Sequence, residues 1–156
     1  MFQIHEDLNS YSRNKTDCRR TYIGVKRVYA ERHTKGDKPG YKVIYEDGYE
    51  SWSPKDVFEA AYFPIEEDNR LSPDDIDAFL NAGSIGVEKR GDKSTLVEVT
   101  FPTGWRDYEV SSCVDPANYD EELGKKYALE NIKRRLWNSL GFVLQWAHSG
   151  LTSRTK

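Results

Sequence analysis

The residues best suited to bind a ligand lie in a predicted hairpin turn at residues 101–106, where Trp105 stands beside Arg106. An indole ring can stack on a nucleobase, and a guanidinium can pair with a phosphate. Exposed hairpin tips are also where binding residues concentrate, because the strands hold them in place. The pattern predicts a site for a small anionic ligand at this tip. Packing of Trp105 against the helix that follows is an equally weighted alternative.

A second group of ligand-binding candidates falls on a predicted helix further along the chain. Asn131, Arg134 and Arg135 lie within about one turn of one another. Glu130 can partly neutralise this face, which favours a solvated basic surface unless a partner subunit closes over it. The candidate residues for base stacking and phosphate pairing are therefore Trp105, Arg106, Asn131, Arg134 and Arg135.

Catalytic and cofactor-binding patterns are missing from the sequence. It contains no P-loop, GxGxxG, GxSxG or HExxH motif, and its three histidines have no partners at metal-ligand or triad spacing. Adjacent carboxylates such as Asp74 and Asp75 stand at predicted helix starts, where the helix dipole explains them. We expect no catalytic residue, no metal and no cofactor, and hence a protein that is not an enzyme. A nuclease or hydrolase built on scattered carboxylates is the weakest alternative.

The bulk composition predicts a folded protein with small hydrophobic cores. The chain has 156 residues, of which 37% are hydrophobic and 13% aromatic, and a mean hydropathy of -0.80. We favour two small units. No apolar run approaches the ~20 residues that span a bilayer, and residues 1–7 lack the basic and apolar regions of a secretion signal. Cys18 and Cys113 lack metal-ligand spacing, which predicts reduced thiols.

Charge is unevenly distributed along the chain. Residues 1–40 hold 9 Lys and Arg against 5 Asp and Glu, whereas residues 41–83 hold 3 against 11. Because the sequence pI is about 5.7, general nucleic-acid binding is disfavoured. The acidic surface expected between Glu46 and Asp77 can instead steer the protein toward a basic partner. This supports an alternative function, a protein-interaction module that binds and inhibits another protein.

The elements that position the candidate residues belong to an α+β fold. We expect a small SH3-like β-meander, followed by a three-stranded antiparallel sheet packed on a long C-terminal helix. Two charged segments without hydrophobic periodicity are predicted to lie outside the folded parts, one as an N-terminal arm and one as a linker. The predicted segments are a flexible arm (1–20), a small β-barrel-like module (21–64), a linker (65–70), an α+β domain (71–150) and a tail (151–156).

The first module combines three short strands with one short helix. The strands are expected at residues 22–30, 41–45 and 49–52. Ser53 and Pro54 form a helix-start signal, with serine as the cap and proline at the first position, and the helix is expected to reach Pro64. Trp52 is assigned to the core more readily than to ligand stacking, because one face of its aromatic cluster must be buried.

The second domain begins with a short helix capped at Ser72. Strands are expected at residues 85–89, 95–101 and 105–110, with Thr95, Val97, Val99 and Phe101 on one side of the middle strand. Asp115 as N-cap and Pro116 at the first helical position start the long helix, and Gly141 is expected to bend or break it. The apolar residues 142–146 then need cover, which predicts a homo-oligomer.

Several separated motifs in the second domain resemble one family of tailed-phage accessory proteins. They occupy residues 95–100, 109–122, 136–137 and 140–145. The motifs occur in order within residues 84–150, and the chain is thereby similar to the family catalogued as phage gene-product forty-nine and sixty-six. The resemblance implies a phage-encoded protein that works in the host cytoplasm, and it brings no established catalytic site.

The first module is similar to a module at the start of other phage accessory proteins. The similarity lies in residues 22–26 and 45–59, and some of those proteins carry a domain similar to sponges of immune signalling nucleotides. Together the resemblances imply an antagonist of host antiviral immunity. We therefore expect the protein to sequester a cyclic nucleotide or cyclic ADP-ribose-type signal, without chemistry, in a pocket between subunits. Inhibition of a host protein through the acidic surface is the alternative, and no membrane partner is expected.

Overall fold

The computed structural model describes residues 20–152, and within them the chain forms two antiparallel sheets and three α-helices. The α+β prediction is thereby confirmed. The elements are β1 (Tyr29–Arg32), β2 (Gly40–Ile44), β3 (Glu50–Pro54), α1 (Lys55–Ala61), α2 (Pro73–Asn81), β4 (Ser84–Arg90), β5 (Ser94–Thr100), β6 (Arg106–Ser112), a 3-10 turn (Pro116–Asn118) and α3 (Glu121–Ser149). Residues 1–19 of the predicted arm, with Cys18, and residues 153–156 of the tail lie outside the described residues.

The first sheet is a meander in the order β1-β2-β3, with α1 packed on it. Tyr41 of β2 stacks on Phe58 of α1, with ring centroids 4.3 Å apart, and Phe58 stacks in turn on Tyr62. Trp52 donates a hydrogen bond from Nε1 to the carbonyl of His33 at 3.0 Å. This bond joins β3 to the loop that follows β1, so Trp52 has a structural role.

Three local predictions for the first module are wrong. The first strand begins at Tyr29, not at Tyr22, because residues 20–28 have no partner strand within the described chain. Ser53 does not cap α1; Pro54 is the N-cap residue, and no side chain bonds the first turn. The helix ends at Ala61, where the backbone of Tyr62 becomes extended.

The segment between the two sheets, residues 65–70, has no helix or strand but is fixed by hydrogen bonds. Arg27 donates to the carbonyl of Asp68 at 2.7 Å, and the amide of Glu66 donates to Asp75 at 3.0 Å. Asp75 also closes a reciprocal capping box with Ser72 at the start of α2, as predicted. The segment therefore packs against both parts of the chain.

The second sheet has the order β4-β5-β6, and α3 packs against β5 and β6. Thr95, Val97 and Val99 of β5 lie on one side of the strand, as their alternation predicts. The structure shows that this side faces the helices and is fully buried. The hydrophobic core consists of Ile76, Phe79, Leu80, Val97, Val99, Phe101, Ala128, Ile132 and Leu136. This arrangement confirms the prediction of a three-stranded antiparallel sheet on a long C-terminal helix.

The long helix starts later than the sequence predicts. Asp115 accepts a hydrogen bond from the amide of Ala117, but it caps only the 3-10 turn. The chain is extended at Tyr119, and α3 begins after Asp120, whose side chain accepts from the amide of Leu123 at 2.9 Å. Tyr119 is held there by a 3.2 Å hydrogen bond with Thr95. This tertiary contact separates the two capped turns.

The helix also continues through Gly141, so the predicted break is wrong. It ends at Ser149, and Gly150 follows with a positive φ of 61°. A glycine weakens a helix by conformational entropy, but unlike proline it removes no backbone hydrogen bond. The apolar segment after Gly141 therefore belongs to the same helix.

We expect opposite effects from the same substitution at two glycines of α3. Gly124→Ala should lower the free energy of unfolding by about 1–3 kcal/mol, because its Cβ would lie 2.5 Å from Oγ1 of the buried Thr95. Gly141→Ala should raise it by about 0.5–1 kcal/mol, because its Cβ would meet nothing within 4 Å. Urea denaturation measures both. Equal effects at the two positions would contradict the described packing.

Candidate ligand-binding site

The turn between β5 and β6 holds Trp105 at an exposed tip. The amide of Phe101 donates to the carbonyl of Trp105, and the amide of Gly104 donates to the carbonyl of Phe101, both at 2.8 Å. Gly104 has a φ of 83°, which a residue with a side chain adopts at a cost. Phe101 is buried in the core, whereas Trp105 is 72% exposed. The alternative in which Trp105 packs against the helix is therefore wrong.

Arg106 begins β6 and points away from α3. Its guanidinium lies 3.6 Å from a carboxylate oxygen of Glu98, and both side chains are exposed. Glu98 stands between the buried Val97 and Val99, so alternation places it and its cross-strand partners on the outer face of the sheet. An exposed ion pair of this kind contributes little in water. The Arg106 guanidinium is thus open to another anion.

Arg135 is bound by two carboxylates of β6. It donates to both oxygens of Asp107, at 2.9 and 3.0 Å, and to Glu109 at 2.6 Å. A further bond reaches the carbonyl of Tyr108 at 3.1 Å. These bonds, Asp107 first, raise the pKa of Arg135 above its usual value. Four of the five donors of the guanidinium are thereby used within the protein.

Asn131 and Arg134 extend this group toward solvent. The side-chain amide of Asn131 donates to Glu109 at 3.3 Å and accepts from Arg134 at 3.2 Å. Arg134 itself is exposed. We refer to Asp107, Glu109, Asn131 and Arg135 as the α3–β6 clamp, because their bonds join the helix to the edge strand.

The five predicted site residues do not line one cavity. The structure brings Asn131, Arg134 and Arg135 together on α3, at the helix side of the sheet. Arg106 lies on the opposite face, and Trp105 stands at the tip where the two faces meet. A ligand that touches all five would have to lie between two copies of the chain or wrap around the hairpin.

The sequence prediction missed Asp107 and Glu109, the acidic half of the clamp. Their spacing of two residues on a strand was the available signal, since it places both carboxylates on one face. The outer face carries a second unpredicted feature. Tyr108 and Val110 follow Arg106 at alternate positions and are about half exposed. We refer to Trp105, Arg106, Tyr108 and Val110 as the outer row.

Three further features of the described residues concern metal ions, membranes and a groove on the first sheet. Between residues 20 and 152, no group of three or more His, Cys, Asp or Glu side chains is arranged to hold a metal ion. No helix in that range is long and apolar enough to cross a bilayer. A shallow groove on the first sheet is lined by Trp52, with the ammonium of Lys35 at 5.8 Å from its ring centroid.

Residues 55–147 match the model of the Phage protein (N4 Gp49/phage Sf6 gene 66) family. The chain belongs to this family. Searches of curated proteins and of solved structures gave no match. The family assignment confirms the resemblance drawn from the motifs of the second domain. It makes the chain a phage protein, whereas the resemblance of residues 21–64 to other phage modules stays a prediction.

The part of the chain that matches the Gp49/gene 66 family contains the whole candidate site. The match begins at the first residue of α1 and ends two residues before the end of α3. It therefore includes the outer row and the α3–β6 clamp, whereas β1, β2 and β3 precede it. It also includes α1 and residues 65–70, which the sequence prediction assigned to other segments.

We expect the clamp to contribute to stability in a way that the neighbouring arginine does not. Arg135→Ala should lower the free energy of unfolding by roughly 1–2 kcal/mol, because Asp107 and Glu109 lose their shared cation on a half-buried surface. Arg134→Ala removes the same side chain one residue earlier and should change it by less than about 0.5 kcal/mol. Urea denaturation compares the two. Equal losses of unfolding free energy in the two variants would contradict a stabilising role for the clamp.

Proposed function

We propose that this phage accessory protein binds and sequesters a nucleotide-derived immune signal of the infected bacterium, of the cyclic nucleotide or cyclic ADP-ribose type. The supporting observation is the exposed indole of Trp105 on a fixed hairpin tip, directly beside the weakly paired guanidinium of Arg106. An indole offers a plane for a base, and a guanidinium offers paired donors for a phosphate. Sequestration requires affinity and sufficient copies, and no bond of the ligand changes.

Energetic magnitudes indicate that one hairpin tip is too little for tight binding. Stacking of one base contributes about 1–3 kcal/mol, whereas association costs roughly 4–15 kcal/mol in lost freedom. Trp105 and Arg106 therefore need further groups around the ligand. We propose that a second copy supplies them, with Arg134 and Asn131 as the donors nearest solvent.

Arg135 has a different role in this proposal. A phosphate could reach its guanidinium only by displacing Asp107 and Glu109, which bind it through three short hydrogen bonds. We assign Arg135 to positioning, since it fixes β6 and thereby the tip that carries Trp105. Phosphate contact is assigned to Arg106 and Arg134.

A second candidate function is the binding and inhibition of a host protein. The outer row favours it, because Trp, Tyr and Arg are the residue types that dominate protein-interface energies. The acidic surface between Glu46 and Asp77 supports it less than the sequence suggests. Five of its carboxylates are paired with Arg or Lys, namely Glu46, Glu50, Glu67, Asp68 and Asp77. We therefore propose the outer row as the contact surface for this alternative.

Heat release of a bound ligand separates these functions. The purified full-length protein is incubated with cyclic dinucleotides, cyclic trinucleotides and cyclic ADP-ribose isomers, freed of unbound ligand, and denatured by heat. We expect one intact ligand in the supernatant. A chemically converted ligand would mean that the protein is an enzyme. No binding across the panel would refute nucleotide sequestration and leave the host-protein function.

Two pairs of variants locate the site. Trp105→Ala and Arg106→Ala should each weaken ligand binding about 10- to 100-fold, measured by calorimetry with the ligand identified above. The controls are Trp137→Ala on α3 and Arg90→Ala on β4, which remove the same side-chain types elsewhere. Arg90 is a close match to Arg106, because it too is exposed and paired with one glutamate. Equal losses in variants and controls would contradict the hairpin site.

A further inference from the structure

The last turns of α3 extend beyond the sheet that the rest of the helix covers. Along α3, Gly124 approaches Thr95, Asn131 contacts Glu109, and Arg135 contacts Asp107. The helix thus runs antiparallel to β6, which begins at Arg106. Leu140 is the last helix residue packed against the core. We refer to residues 141–149 as the overhang, a segment about 13 Å long at 1.5 Å per residue.

The overhang carries the buried stripe of the helix into solvent. Ala128, Ile132 and Leu136 recur every four residues and are buried in the core. Leu140, Val143 and Ala147 continue that stripe at the spacing of a helix-pairing seam. Val143 is 42% exposed, although its position on the helix matches that of core residues. The stripe therefore continues into a segment where the described chain leaves Val143 exposed and covers Ala147 only in part.

Aromatic side chains widen this apolar surface. Phe142 and Trp146 touch across one turn, with ring centroids 6.3 Å apart and an edge-to-face geometry. Phe142 is 68% exposed. A buried aromatic removes about 150–250 Å² from water. Trp146 is partly buried. An exposed aromatic next to an apolar stripe is typical of an interaction surface.

The overhang differs from the rest of the chain in charge. Residues 136–152 contain no Asp, Glu, Lys or Arg, although 31% of the whole chain is charged. The preceding residues of α3, 121–135, include eight such side chains. An uncharged patch has no field that would steer it to a charged partner, and it does not repel its own copy.

We propose that the overhang is the contact surface for a second copy of this chain, packed overhang against overhang around a two-fold axis. A two-fold contact places the same patch on both subunits, so the patch must be self-complementary. An uncharged apolar stripe meets this condition. A helix that lies on a membrane instead carries Lys and Arg along its polar face, and the overhang has none.

The expected area agrees with a reversible dimer. Phe142, Val143 and Trp146 together can bury a few hundred Å² per copy. A standard stable interface buries about 800 Å² per partner. The contact is therefore at the small end, and we expect a weak, reversible dimer that forms in the micromolar range or above.

This inference stands apart from nucleotide sequestration. The overhang leaves the sheet at the end where Trp105 stands, since Arg135 contacts Asp107 only two residues from that tip. A dimer formed there would bring the two hairpins near the same interface. A dimer that binds no nucleotide would uphold this inference and refute the proposed function. A nucleotide-binding monomer would overturn this inference and uphold sequestration, but without the donors assigned to a second copy.

Sedimentation velocity of the full-length protein over a concentration series tests the proposal. We expect the mass to rise from 18.1 kDa to twice that value as the concentration passes through the micromolar range. Val143→Glu should remain at the monomer mass, with dimerisation weakened at least about 10-fold, because two carboxylates would be buried close together. Phe142→Glu provides a second variant with the same expectation.

The matched control is Leu123→Glu, which places the same charge on an equally exposed apolar position of α3 outside the stripe. It should dimerise like the unchanged protein, and circular dichroism should show that all three variants melt at similar temperatures. A protein that stays monomeric at every concentration overturns the proposal. So does a dimer that survives both Val143→Glu and Phe142→Glu, since its interface must then lie elsewhere.

Discussion

The packing of α3 on the second sheet is the constraint on which the hairpin tip, the outer face of β6 and the overhang depend. Near its start, Gly124 lets the helix backbone approach the buried Thr95. Eleven residues later, Arg135 is bound to Asp107 and Glu109. A rigid rod fixed at two points has a defined direction. That direction decides which side of β6 faces solvent, where the hairpin tip stands and where the helix leaves the core.

The sequence predicts the helices and strands of this arrangement better than the residues at which they begin. Alternation along β5 places Val97 and Val99 on a common face, because the period of a strand is a local property. The helix start is misplaced by five residues, because Asp115 and Asp120 are both competent caps and local chemistry cannot choose between them. The choice depends on the contact of Tyr119 with Thr95, which joins distant parts of the chain.

The same distinction applies to the candidate site. Residue types indicate that Trp105 and Arg106 can bind, and their exposure follows from the turn that carries them. Arg135 is a basic residue on a polar helix face in the sequence, but its carboxylate partners are 26 and 28 residues away. The net charge of a segment hides such pairs. The acidic surface between Glu46 and Asp77 is another example. Glu46 forms an ion pair with Arg27, and Asp77 forms one with Lys133.

A protein that acts by binding alone gains most from surfaces that are already in place. Every side chain that must be ordered on association reduces affinity, by about 0.5–1.5 kcal/mol for a long one. The clamp orders β6 before any ligand arrives, and the turn bonds of Phe101 and Gly104 hold Trp105 at the tip. In the proposed function, Arg135 does not contact a phosphate, because the clamp carboxylates already bind its guanidinium. The same bonds fix the hairpin that carries Arg106 against the helix, which favours affinity through rigidity over affinity through added charge.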